Sequence, residues 1–77
     1  MAGELQKRLG LHIRAHRQAA GVSQEAFADQ LQIHRTYMGA IERGERNLTL
    51  NTVEALAARL GVDPASLLMP VTDEFSQ

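Results

Sequence analysis

Two short stretches with helical apolar spacing, SQEAFADQL and RTYMGAIERG, stand only three residues apart, and nothing else constrains this chain as much. In the first, Phe27, Ala28 and Leu31 share a face behind Ser23, a side chain suited to capping a helix N-terminus. In the second, Tyr37, Met38 and Ile41 fall on one side of a helix expected over residues 35–43, which Gly44 ends. Helices of this length are marginal in water by themselves, so both must pack on each other and on a shared core. The connection QIH forces them to cross steeply and leaves one side of the second helix without an intramolecular partner.

The flanking sequence supplies that core. Leu5, Leu9, Ile13 and Ala20 recur at helical spacing before Gly21, a suitable left-handed stop. Downstream, Thr49 can cap a fourth helix, and Leu48 can staple onto Val53 across its first turn. Leu50, Val53, Leu56 and Leu60 are expected to form its buried stripe, with Gly61 closing it. Asp63 followed by Pro64 opens a short fifth helix that must end before Pro70. The expectation is an all-α, compact five-helix fold, with residues 1–70 as one domain and 71–77 as a flexible tail. With 77 residues and no cysteine, aliphatic packing must do the work that disulfides or a thiolate metal cluster do in other small domains.

The second helix of the pair carries the functional signal. Opposite its apolar side lie Arg35, Thr36, Gly39, Ala40 and Arg43. Arginine can grip guanine O6 and N7 with two hydrogen bonds, and threonine can meet a thymine methyl or a base-edge acceptor. Gly39 and Ala40 add no bulk, so the helix axis could approach a groove closely. Singly, each residue fits an ordinary solvated surface; together, on the second helix of a tight pair, they point to DNA. The net charge of −1 does not oppose this, because it is unevenly divided. Residues 1–47 hold seven Lys/Arg against five Asp/Glu, whereas residues 48–77 hold one against four.

These motifs resemble the helix-turn-helix domain of phage repressors and Cro, the xenobiotic-response-element family of bacterial regulators. SQEAFA opens the first helix of the pair, IERGER closes the second, and LTLNTVEALAARLGV forms the next. Within that family, RTYMGAIERGERNLTL is most similar to the controller proteins of restriction–modification systems, which are small homodimers. The resemblance implies a lambda-repressor-like fold and a homodimer that binds double-stranded DNA at a roughly palindromic operator. It also implies activation of the protein's own operon when the protein is scarce and repression when it is abundant. Gln24 is expected to hold a backbone phosphate, Arg35 and Thr36 to read bases, and Tyr37 to lie near the base edges or sugar–phosphate. Arg43, Arg46 and Asn47 match the backbone-clamping end of the recognition helix and its loop, while His34 and Gly39 complete the expected DNA face. Arg17 and Glu42 match a structural ion pair. Three positions depart from the family pattern, the first being His16, which stands where the family usually has an aliphatic residue, so that looser packing of the first helix is expected. Gln32 stands where the turn often has glycine and must take an unusual backbone angle, and a better cap than His34 is expected before the recognition helix.

Other chemistry finds little support. His12 and His16 have a spacing that can ligate zinc, but no third ligand has a convincing position. No glycine-rich phosphate loop appears, and a chain this small has little room for a catalytic pocket. No enzymatic activity, cofactor, metal or small-molecule ligand is expected. The N-terminus lacks the apolar core of a signal peptide and no stretch is long enough to span a bilayer, so no membrane association is expected and a cytoplasmic, bacterial location follows, nucleoid-associated when bound. Leu60, Val62, Leu67, Leu68 and Met69 offer more apolar surface than one small domain can bury; some of it, Leu60 and Leu67 for instance, must serve the subunit's own core, and the remainder marks the C-terminal segment as the expected dimer interface. An antitoxin or phage-type repressor would share this domain. A protein-interaction module on the same scaffold would present a neutral or apolar outer face instead.

Overall fold

The computed structural model describes residues 3–71, and residues 72–77 of the expected tail lie outside them. Four α-helices and a closing 3₁₀ helix follow one another: α1 Glu4–Ala20, α2 Gln24–Leu31, α3 Arg35–Glu42, α4 Leu50–Leu60 and the 3₁₀ turn Pro64–Leu68. The boundaries follow local chemistry. Ser23 Oγ accepts from the Ala26 N–H at 3.1 Å, and Thr49 Oγ1 accepts from the Thr52 N–H at 3.1 Å, satisfying backbone donors at the starts of α2 and α4. Gly21 and Gly61, at φ 72° and 73°, end α1 and α4 in the left-handed region.

The last element is a 3₁₀ turn rather than an α-helix. Asp63 Oδ1 accepts the Ala65 N–H at 3.0 Å, and the Asp63 carbonyl accepts the Ser66 N–H at 2.9 Å. Pro70 follows closely and offers no N–H to continue the coil. The three-residue spacing of the Asp63–Ser66 bond is the one that short terminal helices favour.

Helix α1 packs on α3 and on the 3₁₀ turn, α2 packs on α3 and α4, and the 3₁₀ turn also packs on α4. Their shared core contains Leu9, Ile13, Phe27, Ala28, Leu31, Met38, Ile41, Val53, Leu56, Ala57 and Leu67. At Gly10, α1 and α3 nearly touch: a Cβ there would collide with the Ile41 carbonyl and lie 2.7 Å from that of Glu42. A further long-range tie joins Arg59 Nη1 to the Leu31 carbonyl at 3.0 Å, capping the C-terminal end of α2 from α4.

Two leucines expected in the core stripes lie outside them. Leu50 is 76% exposed. It begins α4 and lies about 70° round the helix from the centre of the Val53–Leu56–Ala57–Leu60 stripe. Leu5, in the first turn of α1, is 54% exposed. Both border a groove of about 230 Å³, whose lining also includes Leu9, Leu48, Val53 and Leu68.

Leu67 leaves the set expected at the dimer interface. Its side chain is fully buried, so it belongs to the subunit's own core. Leu60, Val62 and Leu68 pack on that core but stay half-buried, while Met69 is exposed. Among the described residues, no helix is long and apolar enough to cross a membrane, and no three His, Asp or Glu side chains converge as a metal site would require.

Candidate nucleic-acid interface

Helices α2 and α3 meet through a tight turn that depends on one strained residue. Gln32 adopts φ 60° and ψ 42°, the left-handed conformation that glycine takes most easily. Its N–H donates to the Asp29 carbonyl at 3.1 Å, and the Ile33 N–H donates to Ala28 at 2.9 Å. These bonds satisfy the end of α2 and turn the chain into α3. His34 then serves as the cap that sequence reasoning did not expect of it. Its Nδ1 accepts the Thr36 N–H at 3.1 Å, which places the neutral ring's proton on Nε2.

The start of α3 therefore presents His34, Arg35 and Thr36 at the surface, all exposed, while Met38 and Ile41 anchor the opposite side in the core. Tyr37 is half-buried, and Arg46 lies over its ring with Cζ 4.8 Å from the centroid, a cation–π contact that holds the loop arginine against α3. Arg43 caps the end of α3, one residue short of the expected helix length. Its guanidinium Nε is 3.0 Å from Glu45 Oε2, a hydrogen-bonded pairing that raises its pKa further above the ordinary arginine value. Asn47 is exposed in the same loop.

Gly39 and Ala40 depart from the expected open face. Gly39 is buried and Ala40 half-buried. The side chains of Gln24 and Arg43 lie over Gly39, so an added Cβ would come within 3.1 Å of Arg43 Nη1 and 3.5 Å of Gln24 Oε1. Gly39 therefore makes room for two polar side chains and is not itself the outermost surface.

Beneath this face, Glu42 ties three helices together. Its carboxylate accepts from Arg17 Nε at 2.7 Å and Nη2 at 3.1 Å, and from Gln24 Nε2 at 3.0 Å. Arg17 Nη1 also donates to the Val22 carbonyl at 3.2 Å. The Glu42 bonds hold the Arg17 guanidinium at a raised pKa. Gln24, expected at a phosphate, thus has its amide nitrogen occupied by Glu42 while it stays exposed at the first position of α2.

Sequence reasoning missed two pairings on the exposed side. Arg35 Nη1 lies 3.5 Å from Glu25 Oε2, and Arg43 pairs with Glu45 as described. Neither spacing follows the three- or four-residue helical rule, so periodicity gave no signal for them.

Residues 8–68 match the family described as the helix-turn-helix domain. The chain is 38% identical over 65 residues to control protein C.SmaI from Serratia marcescens, covering 84% of this chain and 77% of that one. Its fold is similar to that of the hypothetical transcription factor NHTF from Neisseria, at TM-score 0.79 and 38% identity, over 94% of this chain and 83% of that one. The restriction–modification controller protein C.AhdI from Aeromonas hydrophila has a similar structure at TM-score 0.68 and 37% identity, over 80% of this chain and 90% of its own.

Proposed function

The chain belongs to the helix-turn-helix family, and from that membership we propose that it is a sequence-specific DNA-binding transcription regulator of the restriction–modification controller kind. The observation that carries this reading is the exposure of Arg35 and Thr36, side by side at the start of α3, the second helix of a tight pair. Helix α3 enters the major groove. Arg35 and Thr36 read base edges, with His34 and Tyr37 beside them. Arg43, Arg46, Asn47 and the α2 N-terminus at Gln24 grip the flanking phosphates. Arg17 and Glu42 hold α3 at its angle and touch no DNA.

The regulator acts as a homodimer on a roughly palindromic operator, with half-sites about one helical turn apart. Its subunits meet through the apolar groups near the C-terminal end that remain accessible, the exposed Met69 foremost, with the half-buried Leu60, Val62 and Leu68. No sensor is needed: occupancy follows protein concentration, and its own operon is the regulated unit. The protein works in the bacterial cytoplasm, on the nucleoid when bound.

Selection of bound duplexes from a random pool, followed by competition binding, tests the reading. Arg35→Ala is expected to cost about 1–3 kcal/mol on the selected duplex and far less on a scrambled one. Arg46→Ala is expected to weaken both and to lower the salt slope by about one phosphate contact. A pool that yields no enriched sequence refutes the function; equal losses on both duplexes for Arg35→Ala refute its role as base reader.

A further inference from the structure

Each arginine at the two ends of α3 meets a carboxylate on the exposed side. Glu25 stands against Arg35 and Glu45 against Arg43, and all four side chains are more than half exposed. Pairs so open to water contribute little to folding. Toward a polyanion the two carboxylates are unfavourable, since like charges at contact distance repel even at the dielectric of water. Glu25 also lies in the first turn of α2, where an anion suits the helix dipole. That accounts for a carboxylate there, but not for its reach to Arg35.

We propose that Glu25 is a positioning and specificity-determining residue, which aims the Arg35 guanidinium at a base edge and penalises its use on phosphate. This rests on the reading of Arg35 as a base reader. A guanidinium carries five N–H donors in a fixed plane, and bidentate recognition of guanine O6 and N7 uses two of them. The ion pair between Glu25 Oε2 and Arg35 Nη1, at 3.5 Å, restrains the swing of the long side chain and leaves its donors for the base. A neutral base edge meets no charge repulsion from Glu25. A phosphate must compete with Glu25 for Arg35 and is itself repelled. The carboxylate therefore weakens sequence-independent binding more than cognate binding, which widens the difference on which specificity depends. Glu45 differs, because its partner Arg43 is assigned to phosphate: it lowers affinity for every sequence alike.

The test measures binding of the full chain to a duplex recovered from a random pool by the wild type and to a scrambled duplex of equal length. Glu25→Gln is expected to bind the scrambled duplex about fivefold more tightly, the factor for one like-charge contact removed in water. Its affinity for the selected duplex should rise less or fall. In a series of single base-pair changes, Glu25→Gln should lose discrimination at the same pair where Arg35→Ala loses it. Glu25→Asp keeps the charge in the first turn but lacks the reach. It should lose discrimination at that pair and tighten on the scrambled duplex by less than Glu25→Gln does, since the repulsion stays and only the competition for Arg35 is lost. Glu45→Gln should tighten both duplexes equally. If Arg35→Ala loses discrimination at a base pair where Glu25→Gln keeps it, the proposal is overturned and the reading of Arg35 stands. If Arg35→Ala discriminates as the wild type does, that reading fails and the proposal fails with it.

Discussion

Replacing Glu42 by alanine should destabilise the fold far more than any other carboxylate substitution near α3. The Glu42 side chain is only 4% exposed, and it accepts three hydrogen bonds, two from Arg17 and one from Gln24. Alanine leaves the guanidinium of Arg17, itself 17% exposed, with the Val22 carbonyl as its remaining protein partner among these bonds. Breaking a buried ion pair from one side costs about 3–5 kcal/mol. Water can reach part of Arg17, so the lower end, about 3 kcal/mol, is expected here. For a domain of this size that corresponds to a fall in Tm of roughly 12–24 °C. Glu42→Gln keeps the shape and part of the accepting capacity, and should fall between alanine and the wild type. Glu45→Ala serves as the control. Its pair with Arg43 is exposed on both sides, and such pairs contribute about 1 kcal/mol at most. Thermal unfolding followed by circular dichroism measures all three. If Glu42→Ala and Glu45→Ala melt within about 4 °C of each other, under about 1 kcal/mol, the three-helix tie is not what holds α3.

Gly10→Ala should destabilise by about 1–2 kcal/mol in chemical denaturation, because backbone carbonyls of α3 occupy the space of the new methyl group. Helix propensity alone favours alanine by about 1 kcal/mol, so a stabilised variant would refute the close crossing. Gln32→Gly relieves the left-handed backbone and should raise stability by up to about 1 kcal/mol after the entropic disadvantage of glycine; a loss would mean that the Gln32 side chain contributes more than its strain costs. Met69→Asp should give a folded monomer with weak operator binding, whereas Leu67→Asp should not fold, since its side chain is fully buried. Sedimentation and circular dichroism separate those outcomes, and a Met69→Asp variant that stays dimeric moves the interface elsewhere.

Helix ends were legible because capping is local chemistry. Ser23, Thr49 and Asp63 each accept a backbone N–H within three residues of themselves, and Gly21 and Gly61 turn left-handed where a helix must stop. The strain at Gln32 was legible too, since a turn that calls for glycine must distort whatever replaces it. Depth of burial was not. Leu50 and Val53 were both expected in the buried stripe of α4, yet Leu50, its first residue, is 76% exposed while Val53 is buried. Periodicity reports the direction of a side chain and not what stands in front of it. Gly10 shows the same limit more sharply: a glycine inside a helix looks like a weakness until the crossing helix is in view.

At the candidate interface, the sequence indicated that Arg35, Thr36 and Arg43 emerge, but not that Gly39 is covered or which side chains engage one another. The stretch around α3 looks basic, with Arg35, Arg43 and Arg46 close together in the chain. Folding brings Glu25 from α2 and Glu45 from the loop against two of them, and sets Arg46 on the ring of Tyr37. Three cations facing two anions make a face with little excess charge, and sequence-independent affinity for DNA comes mainly from such excess. One subunit on the proposed reading therefore holds DNA weakly unless its base contacts are satisfied. That weakness suits a regulator whose occupancy must follow concentration. Two weak half-site contacts held in one dimer act with a high effective concentration at a matched pair of sites and with little advantage elsewhere. On the proposed homodimer, the carboxylates that mask the arginines and the exposed apolar groups near the C-terminal end belong to one device: the first lowers the affinity of each subunit for arbitrary DNA, and the second restores it only where two half-sites are correctly spaced.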